Sequence, residues 1–153
     1  GDFPGEAGFQ ALLQQAREAY DYVLIDSPAG LGPGFRLAVC GADRAIVVAV
    51  SDPSSLRDAQ RVVTQLSQLE TIHLVVNRVR PRLLRRQNTT IDDAMDTAGL
   101  PLLGLVPEDP KVVLAATEGR PLAQLGARRG AVRAYENIDR RLTGQPVPLM
   151  GLR

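Results

Sequence analysis

The segment that most constrains this chain is the apolar run Tyr22-Val23-Leu24-Ile25 followed by Asp26-Ser27-Pro28-Ala29-Gly30. A run of β-branched and aromatic residues cut off by Pro and Gly predicts a buried parallel strand entering a tight loop. Such a strand delivers the Asp26 carboxylate to the carboxyl end of a sheet, where open α/β folds bind their ligands. After the spacer Ser27-Pro28-Ala29 comes Gly30, whose backbone N–H can approach an anion with no Cβ in the way. A carboxylate and a nearby glycine amide suit nucleoside-triphosphate hydrolysis: one holds hydrated Mg²⁺, the other touches the terminal phosphate. On these residues alone a second reading stays open, a Pro-Gly turn whose Asp caps the next segment.

A phosphate-binding loop of the form Gly-x-x-x-x-Gly-Lys-Ser/Thr uses its lysine to neutralise the β and γ phosphates. The single lysine of this chain, Lys111, lies in Asp109-Pro110-Lys111-Val112-Val113 with no glycine-rich loop before it. These residues therefore hold no such lysine. The chain also starts at Gly1 rather than Met, with a helix-like stretch soon after. Together these features set the expectation of the C-terminal part of a longer protein.

A length of 153 residues with 44% hydrophobic content fits one domain with its own core. The net charge of +1 gives no electrostatic case for nucleic acid as a partner. One cysteine, Cys40, excludes a disulfide framework and points to a reducing compartment. Set in Leu37-Ala38-Val39-Cys40, it is expected to be a buried structural thiol. No apolar run approaches the length of a membrane span, and no signal-peptide pattern is visible.

Strand-like and helix-like segments alternate from end to end. Phe9, Leu12, Leu13 and Ala16 recur at helical spacing, and Phe35 to Cys40 reads as a short helix. Ala45 to Val50 is a second apolar strand, and Asp52-Pro53-Ser54-Ser55 starts a helix with Leu56, Ala59, Val62, Val63, Leu66 and Leu69 on one face. Ile72 to Val76 is a third strand, ending at Asn77. Thr90 then caps a helix that Gly99 stops, and Leu102 to Val106 forms a fourth strand. Helices from Lys111 to about Glu118 and from Ala131 to Leu142 close the chain. The alternation predicts an α/β fold, a doubly wound and mostly parallel sheet in one domain over 1–153.

Seven segments in order resemble the MinD/ParA group of P-loop ATPases, and the MinD family in particular. They are Tyr20 to Gly30, Gly41 to Val48, Asp52 to Ala59, Asn77-Arg78-Val79-Arg80-Pro81, Leu103 to Asp109, Glu118-Gly119-Arg120-Pro121 and Arg140 to Gly144. Asp52-Pro53 departs from the Glu-Val usual in the family. The resemblance implies a Mg-dependent ATPase that forms a homodimer with ATP buried between subunits. Asp26 would hold Mg²⁺ through water and Gly30 would contact the γ-phosphate, with Leu31 to Phe35 as a switch that reports hydrolysis. The family's missing phosphate-loop strand would lie between Tyr22–Asp26 and Ala45–Val50. Without it, those strands either pair with each other or expose apolar edges.

Adenine recognition falls, on the same resemblance, to Asn77 and Arg78 at the end of the third strand and to Pro107 and Asp109 at the end of the fourth. The Asn77 amide offers both donors and acceptors to a base edge. On spacing alone Asn77 reads rather as a turn residue, and Asp109 as the N-cap ahead of Pro110 at a first helical position; the resemblance turns the reading of Asn77 to the base pocket. Asp58 follows Ser54 and Ser55 at capping-box spacing, or lies on a partner-binding helix start. Arg78, Arg80, Arg82, Arg85 and Arg86 form the one strong charge cluster. With no interleaved aromatics, a solvated loop explains it better than a nucleic-acid patch. His73 alternates with apolar neighbours and reads as packing.

The resemblance further implies a cytoplasmic protein that helps place the bacterial division septum, with a division inhibitor or regulator as partner. Chromosome partitioning, flagellar placement and a non-enzymatic scaffold of the same fold are the alternatives. Family members end in a membrane-docking amphipathic helix. The tail here, Pro146 to Arg153, carries two prolines and a glycine, which oppose a helix. That leaves at most a weak peripheral membrane contact, strengthened by two copies in a dimer.

Overall fold

The computed structural model describes residues 5–81, 91–125 and 129–148. They fall into two compact units, one from the start of the chain to Ala45 with Leu66–Thr71, the other from Ile46–Gln65 and Ile72 onward.

The first unit is built on two helices, α1 (Gly5–Ala19) and α2 (Pro33–Cys40). Leu13 is the buried residue of α1, and Phe35, Ala38 and Val39 make the i, i+3, i+4 stripe of α2. The helices meet at Gly41, where the Leu13 side chain occupies the space a Cβ would need. Arg17 fastens the same corner, donating from Nη2 to the Gly41 carbonyl at 3.1 Å and to Asp43 Oδ1 at 2.8 Å. Cys40 ends α2 on the side away from the buried stripe and is exposed, not the buried thiol expected; its Sγ lies 3.0 Å from the Leu37 carbonyl.

Tyr22–Asp26 is the main correction to the expected architecture. The backbone from Tyr22 to Pro28 carries no helix or strand assignment, and Leu24 is 87% exposed beside the exposed Tyr20, Tyr22 and Val23. The run has strand chemistry but no paired neighbour among the described residues, and a strand exists only through the ladder that satisfies its backbone. Of the two outcomes expected for these residues, exposed apolar side chains are what the chain adopts.

The second unit carries all of the sheet but Arg44, Ala45 and Thr71; its strand order is β1-β2-β3, with β1 at Arg44–Val50, β2 at Thr71–Val79 and β3 at Leu102–Pro107. β2 and β3 run parallel, pairing Leu74 with Leu102 and Val76 with Leu105. Helix α3 (Pro53–Gln65) joins β1 to β2, and α4 (Ile91–Ala98) precedes β3 and packs on α3. Asp52 caps α3, its Oδ1 accepting from the Ser54 and Ser55 N–H groups at 3.0 Å each. Helices α5 (Pro110–Thr117) and α6 (Ala131–Leu142) follow, with a 3₁₀ turn at Leu122–Leu125 between them. The core forms where α6 covers β3: Val75, Leu103 and Val106 against Ala131, Ala134 and Ile138.

β2 and β3 read as continuous buried runs, with Leu74 and Val76 fully buried. β1 is different. Val47 and Ala49 are buried on one face, while Ile46 and Val48 stay exposed on the other, Val48 by 61%.

Candidate functional site

In the first unit, Asp26 and Gly30 lie on one exposed loop that leads into α2. The loop is braced from within: Pro28 Cγ sits 2.6 Å from where a Cβ on Gly34 would be, so only glycine lets the first turn of α2 approach this proline. Gly30 has φ +84°, a left-handed conformation that glycine adopts without strain. Asp26 is exposed, and no hydrogen bond or ion pair among the described residues engages its carboxylate. No group of three or more His, Cys, Asp or Glu among the described residues is placed to hold a metal. A lone carboxylate of this kind suits Mg²⁺, which keeps several waters and takes its remaining ligands from substrate phosphates.

In the second unit, Asn77, Arg78, Pro107 and Asp109 gather at the carboxyl ends of β2 and β3. The register passes from Val76–Leu105 to Val79–Pro107, so three steps on β2 oppose two on β3. Asn77-Arg78 is therefore a β-bulge, a device that re-aims side chains beside binding sites. Arg78 sits at φ +51°, in a region that costs a non-glycine residue about 1–3 kcal/mol. Its N–H donates to Asn77 Oδ1 at 2.8 Å. Because that backbone group can only donate, the amide oxygen must face it, and the Asn77 NH₂ is left as the outer, donating end.

Glu108 ties this end of the sheet together. Its N–H donates to the Val79 carbonyl at 3.0 Å. Its carboxylate takes a two-point hydrogen bond from Arg80, through Nε to Oε2 and through Nη2 to Oε1 at 2.6 Å. Arg78 Nη2 reaches the same Oε1 at 3.3 Å. The Arg80 hydrogen bond, reinforced by Arg78, holds the Glu108 carboxyl below the usual carboxylate range, and Glu108 in turn raises the Arg80 guanidinium. The sequence places Arg80 only in the arginine cluster of a solvated loop and marks no role for Glu108. The available signal was the pairing of β2 with β3, which sets Val79 beside Pro107 and hence Arg80 close to Glu108.

Asp109 does what its place before Pro110 foretells, and more. Oδ1 accepts from the Lys111 N–H at 3.0 Å as the N-cap of α5, while Oδ2 accepts from the Ala131 N–H at 3.2 Å at the start of α6. Both oxygens are thus engaged in holding helix starts. Asp58 forms no capping box; that work goes to Asp52, and Asp58 pairs with Arg61 at 3.4 Å on the surface. Of the arginine cluster, Arg78 and Arg80 both pair with Glu108, and Arg82, Arg85 and Arg86 lie outside the described residues, as does Thr90. The tail is non-helical from Gln145 to Pro148, where Arg141 donates to the Val147 and Pro148 carbonyls at 3.0 and 2.7 Å; residues 149–153 lie outside the described residues. No helix among the described residues is long and apolar enough to cross a membrane.

An α/β fold with parallel strands and polar loops at their carboxyl ends is the architecture of the MinD/ParA type of P-loop NTPases. The MinC:MinD cell division protein complex of Aquifex aeolicus superposes with a TM-score of 0.91 at 32% identity, over 98% of this chain and 63% of that one. MinD complexed with Mg-ADP from Pyrococcus horikoshii superposes at 0.77 with 25% identity, over 90% of this chain and 56% of that one. The septum site-determining protein MinD of Bacillus subtilis is 41% identical over 145 residues, which is 92% of this chain and 54% of the relative. Over the shared span this chain is of the MinD type. It spans about half the length of the curated relatives it matches. No family model matches it.

Proposed function

We propose that the full-length protein is a Mg-dependent ATPase whose ATP-driven homodimerisation acts as a switch in placing the bacterial division septum. The observation that carries this reading is the pairing of Asp26 and Gly30 on one loop. An exposed carboxylate with no hydrogen-bond or ion-pair partner among the described residues sits four residues from a glycine in the left-handed region. The Asp26 carboxylate would accept hydrogen bonds from water in the Mg²⁺ shell; bound Mg²⁺ supplies charge neutralisation between the β and γ phosphates. Gly30 would present its backbone N–H to the γ-phosphate. The start of α2 supports that role, since its N-cap Gly32 makes no side-chain cap bond and leaves the first-turn N–H groups uncommitted to a side chain.

In the second unit, the Asn77 NH₂ would donate to a ring nitrogen of adenine, with Arg78 beside it. The carbonyls of Pro107 and Asp109 would accept from the exocyclic amine. The Mg-ADP complex of the Pyrococcus relative supports nucleotide and magnesium as ligands, and the MinC:MinD assembly of the Aquifex relative supports a division-inhibitor partner. These and the septum site-determining relatives favour division-site selection over chromosome partitioning. A cytoplasmic location with weak peripheral membrane contact completes the reading.

Sedimentation velocity of the full-length protein tests it. Mg-ATP, but not Mg-ADP, should convert monomer to dimer. A monomer in both nucleotides contradicts the switch.

A further inference from the structure

The bulge at Asn77-Arg78 is a strained element, and strain persists only where surrounding contacts hold it. Among the described residues, Arg78 is the one non-glycine residue at positive φ. Two contacts restrain it: its N–H on Asn77 Oδ1, and its guanidinium on Glu108 Oε1. Glu108 is in turn fixed by the two-point hydrogen bond from Arg80 and by its own N–H on the Val79 carbonyl. Arg80 and Glu108 are 28 residues apart and belong to neighbouring strand ends, so this grip closes across β2 and β3 at the level of the bulge.

We infer that Glu108 is a positioning residue of the nucleotide-base subsite, holding Arg78 and Arg80 so that the bulge keeps the Asn77 amide aimed at the base. The inference rests on the reading of Asn77 as a base contact. Glu108 itself touches no base on this account, because both carboxylate oxygens are engaged by arginine. Its effect is transmitted through Arg78, whose backbone N–H fixes which end of the Asn77 amide faces outward. Without the carboxylate, two guanidiniums of like charge are left side by side at the strand end. The bulge is then free to relax, and the Asn77 amide to turn.

The test measures affinities of the full-length protein for Mg-ATP and for magnesium tripolyphosphate, which has the phosphates but no base. Glu108→Ala should weaken Mg-ATP about tenfold, the loss expected when one hydrogen-bonded contact is misplaced, and leave tripolyphosphate unchanged. Glu108→Gln, which keeps an acceptor for one arginine, should fall between. Asn77→Ala should weaken Mg-ATP in the same way, and Glu108→Ala should add nothing in that background. Arg80→Gln, at a half-exposed side chain, breaks the grip from the other strand and serves where Glu108→Ala does not fold. Equal weakening of both ligands would mean that Glu108 acts on the whole fold, and would overturn the inference. So would an effect of Asn77→Ala alone, which would leave the base contact standing. No effect of Asn77→Ala on Mg-ATP would remove the base contact and this inference with it.

Discussion

The Asp109 carboxylate caps α5 and α6 at once, one oxygen on each helix. Gly130 permits this: it lies at φ +63°, and a Cβ there would strike Asp109 Oδ2. Replacing Asp109 by Ala removes two caps, each worth about 1 kcal/mol, and should cost about 2 kcal/mol in urea unfolding; Asp109→Asn, which keeps one accepting oxygen, should cost about half. Unchanged stability in Asp109→Ala would show that water or a neighbour replaces both contacts. The first of these bonds was legible from the Asp-Pro pair alone. The second spans 22 residues and was not, because capping across a chain reversal depends on where α6 lands. Glu108 shows the same limit. Its carboxylate acts only because a bulge and a register bring Arg78 and Arg80 to it, and neither is written in local sequence.

Among the elements, β2 and β3 were the most legible, since their unbroken apolar runs can be satisfied only by a strand buried on both faces. α6 was predicted with the bounds it has, Ala131–Leu142, from its 3.6-residue stripe. Gly104 in mid-β3 hides a constraint that the pattern does not show: the Ile138 side chain of α6 fills the place of its missing Cβ. A glycine inside a strand marks such a close approach. Gly104→Ala should therefore lower stability by about 1–3 kcal/mol, as overpacking does, although Ala is the better strand residue by propensity. A rise in melting temperature would contradict this packing. Tyr22–Asp26 failed as a strand for the opposite reason. Its composition specifies the capacity to pair, but pairing needs a neighbour, and among the described residues it has none.

For the whole molecule, the matched span carries a lone carboxylate loop in one unit and a polar strand-end cluster in the other. It carries no Gly-x-x-x-x-Gly-Lys loop to hold a triphosphate. The MinD resemblance was legible because seven short segments kept their order, which no single motif could establish. The exposed apolar face of β1 and the unpaired run at Tyr22 were foreseeable only as alternatives, since their outcome depends on what else is folded beside them. The central claim is that Asp26 serves an ATP-hydrolysing site. Its most direct test is steady-state Mg-ATP hydrolysis by the full-length protein and by its Asp26→Ala variant, with nucleotide binding measured alongside. Loss of hydrolysis to the uncatalysed level, with ATP still bound, is the predicted result, because the phosphate contacts lie elsewhere while the Mg²⁺ water shell loses its anchor. Wild-type turnover in Asp26→Ala would contradict the account.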